Sequence, residues 1–171
     1  MQHLIITGAN GSGKSHLAQQ LGAVRPNIPI VSFDAVKLMQ NWQQRPRDEI
    51  DDALWQIIAQ KQWILEGGPS LLPQALLRAD GVIWLDPPDY LRALRLLIRP
   101  WRNFGTTRPE LPPGNADWPL QQYRFAQRSL RSGARVRATI DDALAGADDA
   151  TVWRCKTQRQ IDQAAQTWRA A

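Results

Sequence analysis

The residues best suited to chemistry lie close to the N-terminus. Gly8-Ala9-Asn10-Gly11-Ser12-Gly13-Lys14-Ser15 follows the form G-x-x-x-x-G-K-[ST] without a gap, between an apolar run and a helical pattern. Glycines at this spacing let the backbone take positive φ and approach a ligand closely. Successive N–H groups and the start of the next helix then face an anion. Lys14 supplies a point charge to the β- and γ-phosphates of a nucleoside triphosphate, and Ser15 places a hydroxyl on Mg²⁺. Gly8, Asn10, Gly11, Ser12, Gly13, Lys14, Ser15 and His16 form the candidate nucleotide site, although His16 is read more simply as a surface or packing residue. The motif alone does not separate ATP from GTP, or catalysis from binding.

Three carboxylates each follow a short apolar run: Asp34, Glu66 and Asp86. Val82-Ile83-Trp84-Leu85-Asp86 is four apolar residues and an aspartate, the form of a strand whose acid holds Mg²⁺ directly or through water. Glu66 ends a similar run and competes for that role, so Ser15, Glu66 and Asp86 are the candidate metal residues. Asp34 stands where an acceptor hydroxyl or amine can be oriented and its proton accepted. The bland alternative for each is a helix cap or a surface acid. Pro87-Pro88 also makes Asp86 a turn residue.

Arginine is concentrated in one segment. Residues 1–91 carry 7 basic and 9 acidic side chains, residues 92–137 carry 10 arginines against Glu110 and Asp117, and residues 138–171 carry 4 basic and 5 acidic. The middle segment therefore holds all of the excess positive charge. Arg92, Arg95, Arg99 and Arg102 share one helix face, with Leu91, Leu94, Leu97, Ile98 and Trp101 filling the rest. Arg124, Arg128, Arg131 and Arg135 repeat the spacing. Between them, residues 105–119 are rich in proline and glycine and carry Arg108. Two helical arms and a hinge-rich tip are how a phosphate-closing lid is built. Arg99 and Arg108 join Lys14 and Asp34 as candidate catalytic residues, the arginines stabilising charge during transfer. The same faces also suit a nucleic-acid backbone, with Trp101, Trp118 and Tyr123 stacking on bases, as a less favoured partner.

Five apolar runs position these groups: Leu4–Thr7, Ile28–Phe33, Gln62–Glu66, Gly81–Asp86 and Ala150–Cys155. Helical patterns separate them, over 14–22, 34–42, 47–60, 70–78, 89–104, 119–132, 134–144 and 157–170. Alternating strands and helices predict an α/β domain with a mainly parallel sheet covered on both faces. Ligands in such sheets bind beyond the carboxyl ends of the strands, where the phosphate loop and the three carboxylates all fall. Trp63, Trp84 and Trp153 lie within strands and are expected in the core.

At 171 residues the chain is sized for one domain, 1–171, with 92–137 as an arginine-rich lid subregion. A hydrophobic share of 43% argues against bulk disorder. No apolar run approaches the length that spans a bilayer, and the N-terminus lacks the pattern of a signal peptide. The single cysteine, Cys155, cannot form an internal disulfide, so a cytoplasmic location is expected.

The chain resembles the adenylate-kinase-like P-loop proteins usually labelled DNA topology modulation proteins. The resemblance rests on Gly8–Ser15, Ile30–Asp34, Trp63–Gly67, Trp84-Leu85-Asp86 with Tyr90-Leu91 and Arg95, and Gly105-Thr106-Thr107-Arg108-Pro109. It implies a P-loop NTPase of nucleoside-kinase topology: five parallel strands, a lid after the fourth, and ATP and Mg²⁺ at Gly8–Ser15. It further implies similarity to kinases of small molecules and nucleotides. Glu66-Gly67-Gly68-Pro69 stands where the family has Asp-Gly-Asn-Tyr, and Ser70 where adenylate kinases have an arginine. Lys37 stands where those enzymes have an arginine three residues after the aspartate matching Asp34. Nucleoside monophosphates and phosphate-free acceptors both stay open.

Overall fold

In a computed structural model, which describes residues 1–102, 112, 114, 115 and 118–171, the apolar runs pair into one parallel sheet. β1 (His3–Gly8), β2 (Ile30–Ser32), β3 (Trp63–Gly67), β4 (Gly81–Leu85) and β5 (Thr151–Cys155) lie in the order β2-β3-β1-β4-β5. The register sets Ile5 beside Leu65 on one side and Val82 on the other. The helices are α1 (Lys14–Val24), α2 (Phe33–Lys37), α3 (Arg47–Ile58), α4 (Leu72–Ala75), α5 (Asp89–Arg102), α6 (Pro119–Arg131), α7 (Gly133–Leu144) and α8 (Gln158–Ala170). No helix among the described residues is long and apolar enough to cross a membrane.

The strands are apolar throughout because both faces of the sheet are covered. Leu4, Ile6, Ile64, Ile83 and Leu85 point to one side and pack with Leu17 and Leu21 of α1 and Trp168 of α8. Ile5, Trp63, Leu65, Val82 and Trp84 point to the other and meet Leu54 and Ile58 of α3, Leu72 and Ala75 of α4, and Ile140 of α7. Each fully buried Leu or Ile contributes about 1.5–3 kcal/mol. The result is a rigid sheet whose carboxyl edge carries the loops of interest.

Local details depart from the sequence reading in three places. The second strand is only Ile30–Ser32, since it lies at the sheet edge and Phe33 already opens α2. The expected helix over 34–42 stops at Lys37. Leu38 then bridges Gln44 antiparallel, and Asn41 and Trp42 take left-handed backbone, φ 57° and 59°. Buried Asn115 holds that turn: its Oδ1 accepts from the Trp42 N–H at 2.5 Å and its Nδ2 donates to the Met39 carbonyl at 2.9 Å. On α5 the buried residues are Arg92, Leu96 and Pro100, whereas Leu94, Leu97, Ile98 and Trp101 are exposed. The apolar side chains set between the arginines are thus largely exposed, while Arg92 turns inward to backbone carbonyls.

Candidate active site

The phosphate loop spans the turn between β1 and α1. Gly8 has φ 146°, and a Cβ there would lie 2.3 Å from the Leu85 carbonyl oxygen. Gly11 has φ 80°, and a Cβ there would lie 2.9 Å from the Arg92 carbonyl oxygen. Neither position accepts a side chain in this conformation. Leu17 N–H makes the first helical bond, to Gly13, so the amides of Lys14, Ser15 and His16 have no carbonyl one turn back. The first turn of α1 carries no acid and no side-chain cap. Ser12 Oγ is buried without a hydrogen-bond partner among the described residues. A cradle of amides, an orphan hydroxyl and the positive end of a helix dipole suit a polyanion.

Lys14 Nζ reaches back to the Ala9 carbonyl at 3.4 Å. Burial pushes its pKa below the usual 10.5, against the attraction of Glu66 and Asp34. Glu66, buried at the end of β3, shows the mirror effect: burial raises its pKa above 4.5, while Lys14 and hydrogen bonds from Ser32 and Ser15 oppose the rise. Ser32 Oγ donates to Glu66 Oε1 at 2.7 Å and Ser15 Oγ donates to the same oxygen at 3.3 Å. A hydroxyl beside a carboxylate is a hard-oxygen donor set that fits Mg²⁺. Asp34, in the first turn of α2, pairs with Lys37, Oδ1 to Nζ 2.9 Å.

Two cavities of about 440 Å³ each meet at this edge of the sheet. One is lined by the phosphate loop, Glu66, Leu94 and Ile98. The other is lined by Lys37, Trp42, Gln44, Gly68, Ser70 and Phe125. Asn10, Asp34 and Arg99 line both. Arg99 donates to Gln122 Oε1 at 2.8 Å and lies over the Phe125 ring. A larger cleft of about 620 Å³ opens along β2, with mainly apolar walls from Ile30, Val31, Ala35, Val36 and Ala53, and Lys14 is not among its lining residues.

The structure thus brings Asn10, Gly11, Gly13, Lys14 and Ser15 together with Asp34, Glu66 and Arg99 around one cavity, whose lining also includes the exposed His16. Asp86 lies in an ion-pair cluster. Its carboxylate is 8% exposed and held by two guanidiniums: Arg137 donates to Oδ1 at 2.8 Å and Arg154 to Oδ2 at 2.8 Å. Both oxygens are committed to charge partners, so the arrangement leaves Glu66, not Asp86, beside Ser15. Arg108 and most of the 105–119 segment lie outside the described residues. The residues missed in the sequence are Ser32, which fixes Glu66, and Arg92, buried beneath the loop. Ser32 precedes Asp34 by two positions and carried no motif. Arg92 looked like one of a row.

No protein-family model matches the sequence, and no match is found among curated proteins. Solved structures do match. The shikimate kinase from Acinetobacter baumannii in complex with shikimate is 14% identical, with a TM-score of 0.57 over 99% of this chain and 92% of that one. The shikimate kinase from Bacteroides thetaiotaomicron is 14% identical with a TM-score of 0.54, over 99% and 96%. A gluconokinase from Sinorhizobium meliloti 1021 is 12% identical with a TM-score of 0.52, over 99% and 97%. The chain therefore shares the fold of these kinase structures, a five-stranded parallel sheet between helices, as the sequence led one to expect. The label of DNA topology modulation protein gains no support from these comparisons.

Proposed function

We propose that this protein is an ATP- and Mg²⁺-dependent kinase that transfers the γ-phosphoryl group to a small hydroxyl-bearing acceptor. The observation that carries the reading is the shared wall of the two cavities. Asn10, Asp34 and Arg99 line both, so a triphosphate on the loop and an acceptor in the second cavity meet at those residues. The loop amides and Lys14 bind the phosphates. Ser15 and Glu66 hold Mg²⁺, which when bound offsets phosphate charge. Asp34 orients the acceptor hydroxyl and takes its proton, and Lys37 fixes the carboxylate's orientation. Arg99 stabilises the charge of the group in transit; the likeness to shikimate kinase and gluconokinase structures supports phosphoryl transfer to a small molecule. ATP turnover measured against nucleosides, nucleoside monophosphates, sugars and hydroxy acids tests it: one class should accelerate turnover sharply in the wild type and not in Asp34→Asn.

A second reading has one observation in its favour. Arg124, Arg128, Arg131 and Arg135 are exposed on α6 and α7, and none forms an ion pair among the described residues. Such a row suits a nucleic-acid backbone. If all four neutralise phosphates, the logarithm of duplex DNA affinity falls with the logarithm of salt at a slope of about −3 to −4. Absence of any salt-dependent binding would end this reading.

A further inference from the structure

We propose that Arg92 is a positioning residue that sets the orientation of the phosphate loop's peptide units before any ligand arrives; the consequence for binding rests on the nucleotide reading above. The arginine is 1% exposed. Its three nitrogens reach three different elements: Nε donates to the Asn10 carbonyl at 3.0 Å, Nη1 to Asp89 Oδ1 at 2.6 Å, and Nη2 to the Ser129 carbonyl at 3.3 Å. One turn along α5, Arg95 Nη1 takes the next two loop carbonyls, Gly11 at 3.3 Å and Ser12 at 2.8 Å. Three successive carbonyls of the loop are thus drawn toward α5.

A trans peptide unit points its carbonyl and the next residue's N–H in opposite directions, and no peptide bond among the described residues is cis. Fixing the Asn10 carbonyl therefore turns the Gly11 N–H away from Arg92, and fixing the Ser12 carbonyl does the same for Gly13. Ser12 N–H closes a turn on the Ala9 carbonyl at 3.2 Å, which leaves the Gly11 and Gly13 amides as the directed donors. A carbonyl flipped into their place would repel an anion. The guanidinium is anchored in turn. Asp89 balances its charge and is itself held by Arg137, which also grips Asp86. Burial opposes ionisation of Asp89, but the hydrogen bonds from Arg137 and Arg92 outweigh it and hold the carboxyl below 3.8. Only a planar fork of several donors makes these divergent contacts, so lysine cannot substitute.

The test uses inorganic tripolyphosphate, which has no base to stack on Arg95, in the full chain with Arg92→Lys, Gly133→Ala and Asp89→Asn. A Cβ at Gly133 would sit 2.7 Å from Arg92 Nη1, so Gly133→Ala crowds the guanidinium while keeping its charge and every loop residue. Arg92→Lys should weaken tripolyphosphate binding about ten- to a hundredfold, and Gly133→Ala should weaken it measurably. Asp89→Asn, whose amide oxygen can still accept from Arg92 Nη1, should weaken binding less than Arg92→Lys does. In the empty protein, amide order parameters of Asn10 and Gly11 should fall from about 0.85 toward 0.6 in Arg92→Lys. Wild-type affinity in both Arg92→Lys and Gly133→Ala overturns the proposal, as do unchanged order parameters. Should Arg92→Lys not fold, Gly133→Ala decides alone. A wild type that does not bind tripolyphosphate, but whose loop loosens in Arg92→Lys, sinks the nucleotide reading and leaves the positioning role standing.

Discussion

Replacing Lys14 with methionine keeps an unbranched side chain one atom shorter and removes its charge, with two opposite consequences. Burial depresses the Lys14 pKa in the empty protein. A folded-state value below the unfolded one means that ionised Lys14 costs stability at neutral pH, a cost that fades as pH rises through the depressed value. The variant without ligand should therefore melt higher than wild type. Its response to nucleotide should shrink. A charge-assisted phosphate contact is worth about 1.5–3 kcal/mol, so affinity for a non-hydrolysable ATP analogue falls about ten- to over a hundredfold. At an analogue concentration about 1,000 times the wild-type Kd, binding stabilises by about 4.1 kcal/mol; a Kd raised about a hundredfold leaves about 1.4 kcal/mol. For a chain of 171 residues each kcal/mol moves Tm by about 2–4 °C. The analogue-induced shift should fall from about 8–16 °C to about 3–6 °C in scanning fluorimetry with Mg²⁺. An undiminished shift would refute the phosphate role of Lys14. A lower melting point without ligand would refute the electrostatic argument.

Asp34→Asn should lower acceptor-stimulated turnover about 10²- to 10⁴-fold, with analogue affinity by calorimetry nearly unchanged; equal losses would make Asp34 a nucleotide or metal ligand. Asp86→Asn removes the charge shared by Arg137 and Arg154 and should cost about 1.5–3 kcal/mol in urea unfolding. Its turnover and Mg²⁺ requirement should stay near wild type, and a changed Mg²⁺ requirement would restore Asp86 to the metal role. Gly67→Ala places a Cβ 2.5 Å from Leu71 Cδ2 and 2.8 Å from Phe33 Cβ, an overpacking that should cost about 1–3 kcal/mol. A Tm equal to wild type would show that both neighbours yield freely. Finally, an anionic ligand raises the depressed Lys14 pKa, so binding takes up protons. Analogue affinity should fall as pH rises through the alkaline range below 10.5, and Lys14→Met should abolish that component; titration calorimetry in two buffers of different ionisation heat reads the uptake.

The phosphate loop was legible because its chemistry depends on residues adjacent in sequence. The five strands were legible because a sheet covered on both faces writes each strand as an unbroken apolar run, as in Trp63-Ile64-Leu65. What was not legible depends on contacts far along the chain. Asp86 follows an apolar strand as a metal acid would, but its partners Arg137 and Arg154 lie 51 and 68 residues away. Arg92 is buried because its acceptors include carbonyls 82 and 37 residues distant, and the helical spacing of its neighbours gave no hint of that. The left-handed turn at Asn41 and Trp42 is imposed by a side chain 73 residues on, Asn115, where local propensity favoured a longer helix. Glu66 and Asp86 were equal candidates in the sequence, and the preference for Glu66 comes from Ser15 and Ser32 converging on one of its oxygens.

Transfer of labelled γ-phosphate from ATP, followed with and without Mg²⁺ across the acceptor panel, tests the central claim most directly. The account predicts slow turnover alone and a sharp, Mg²⁺-dependent rise with one acceptor class, the label appearing on the acceptor and the rise disappearing in Asp34→Asn. Turnover that stays flat across every acceptor, with the label released only as inorganic phosphate, would contradict it.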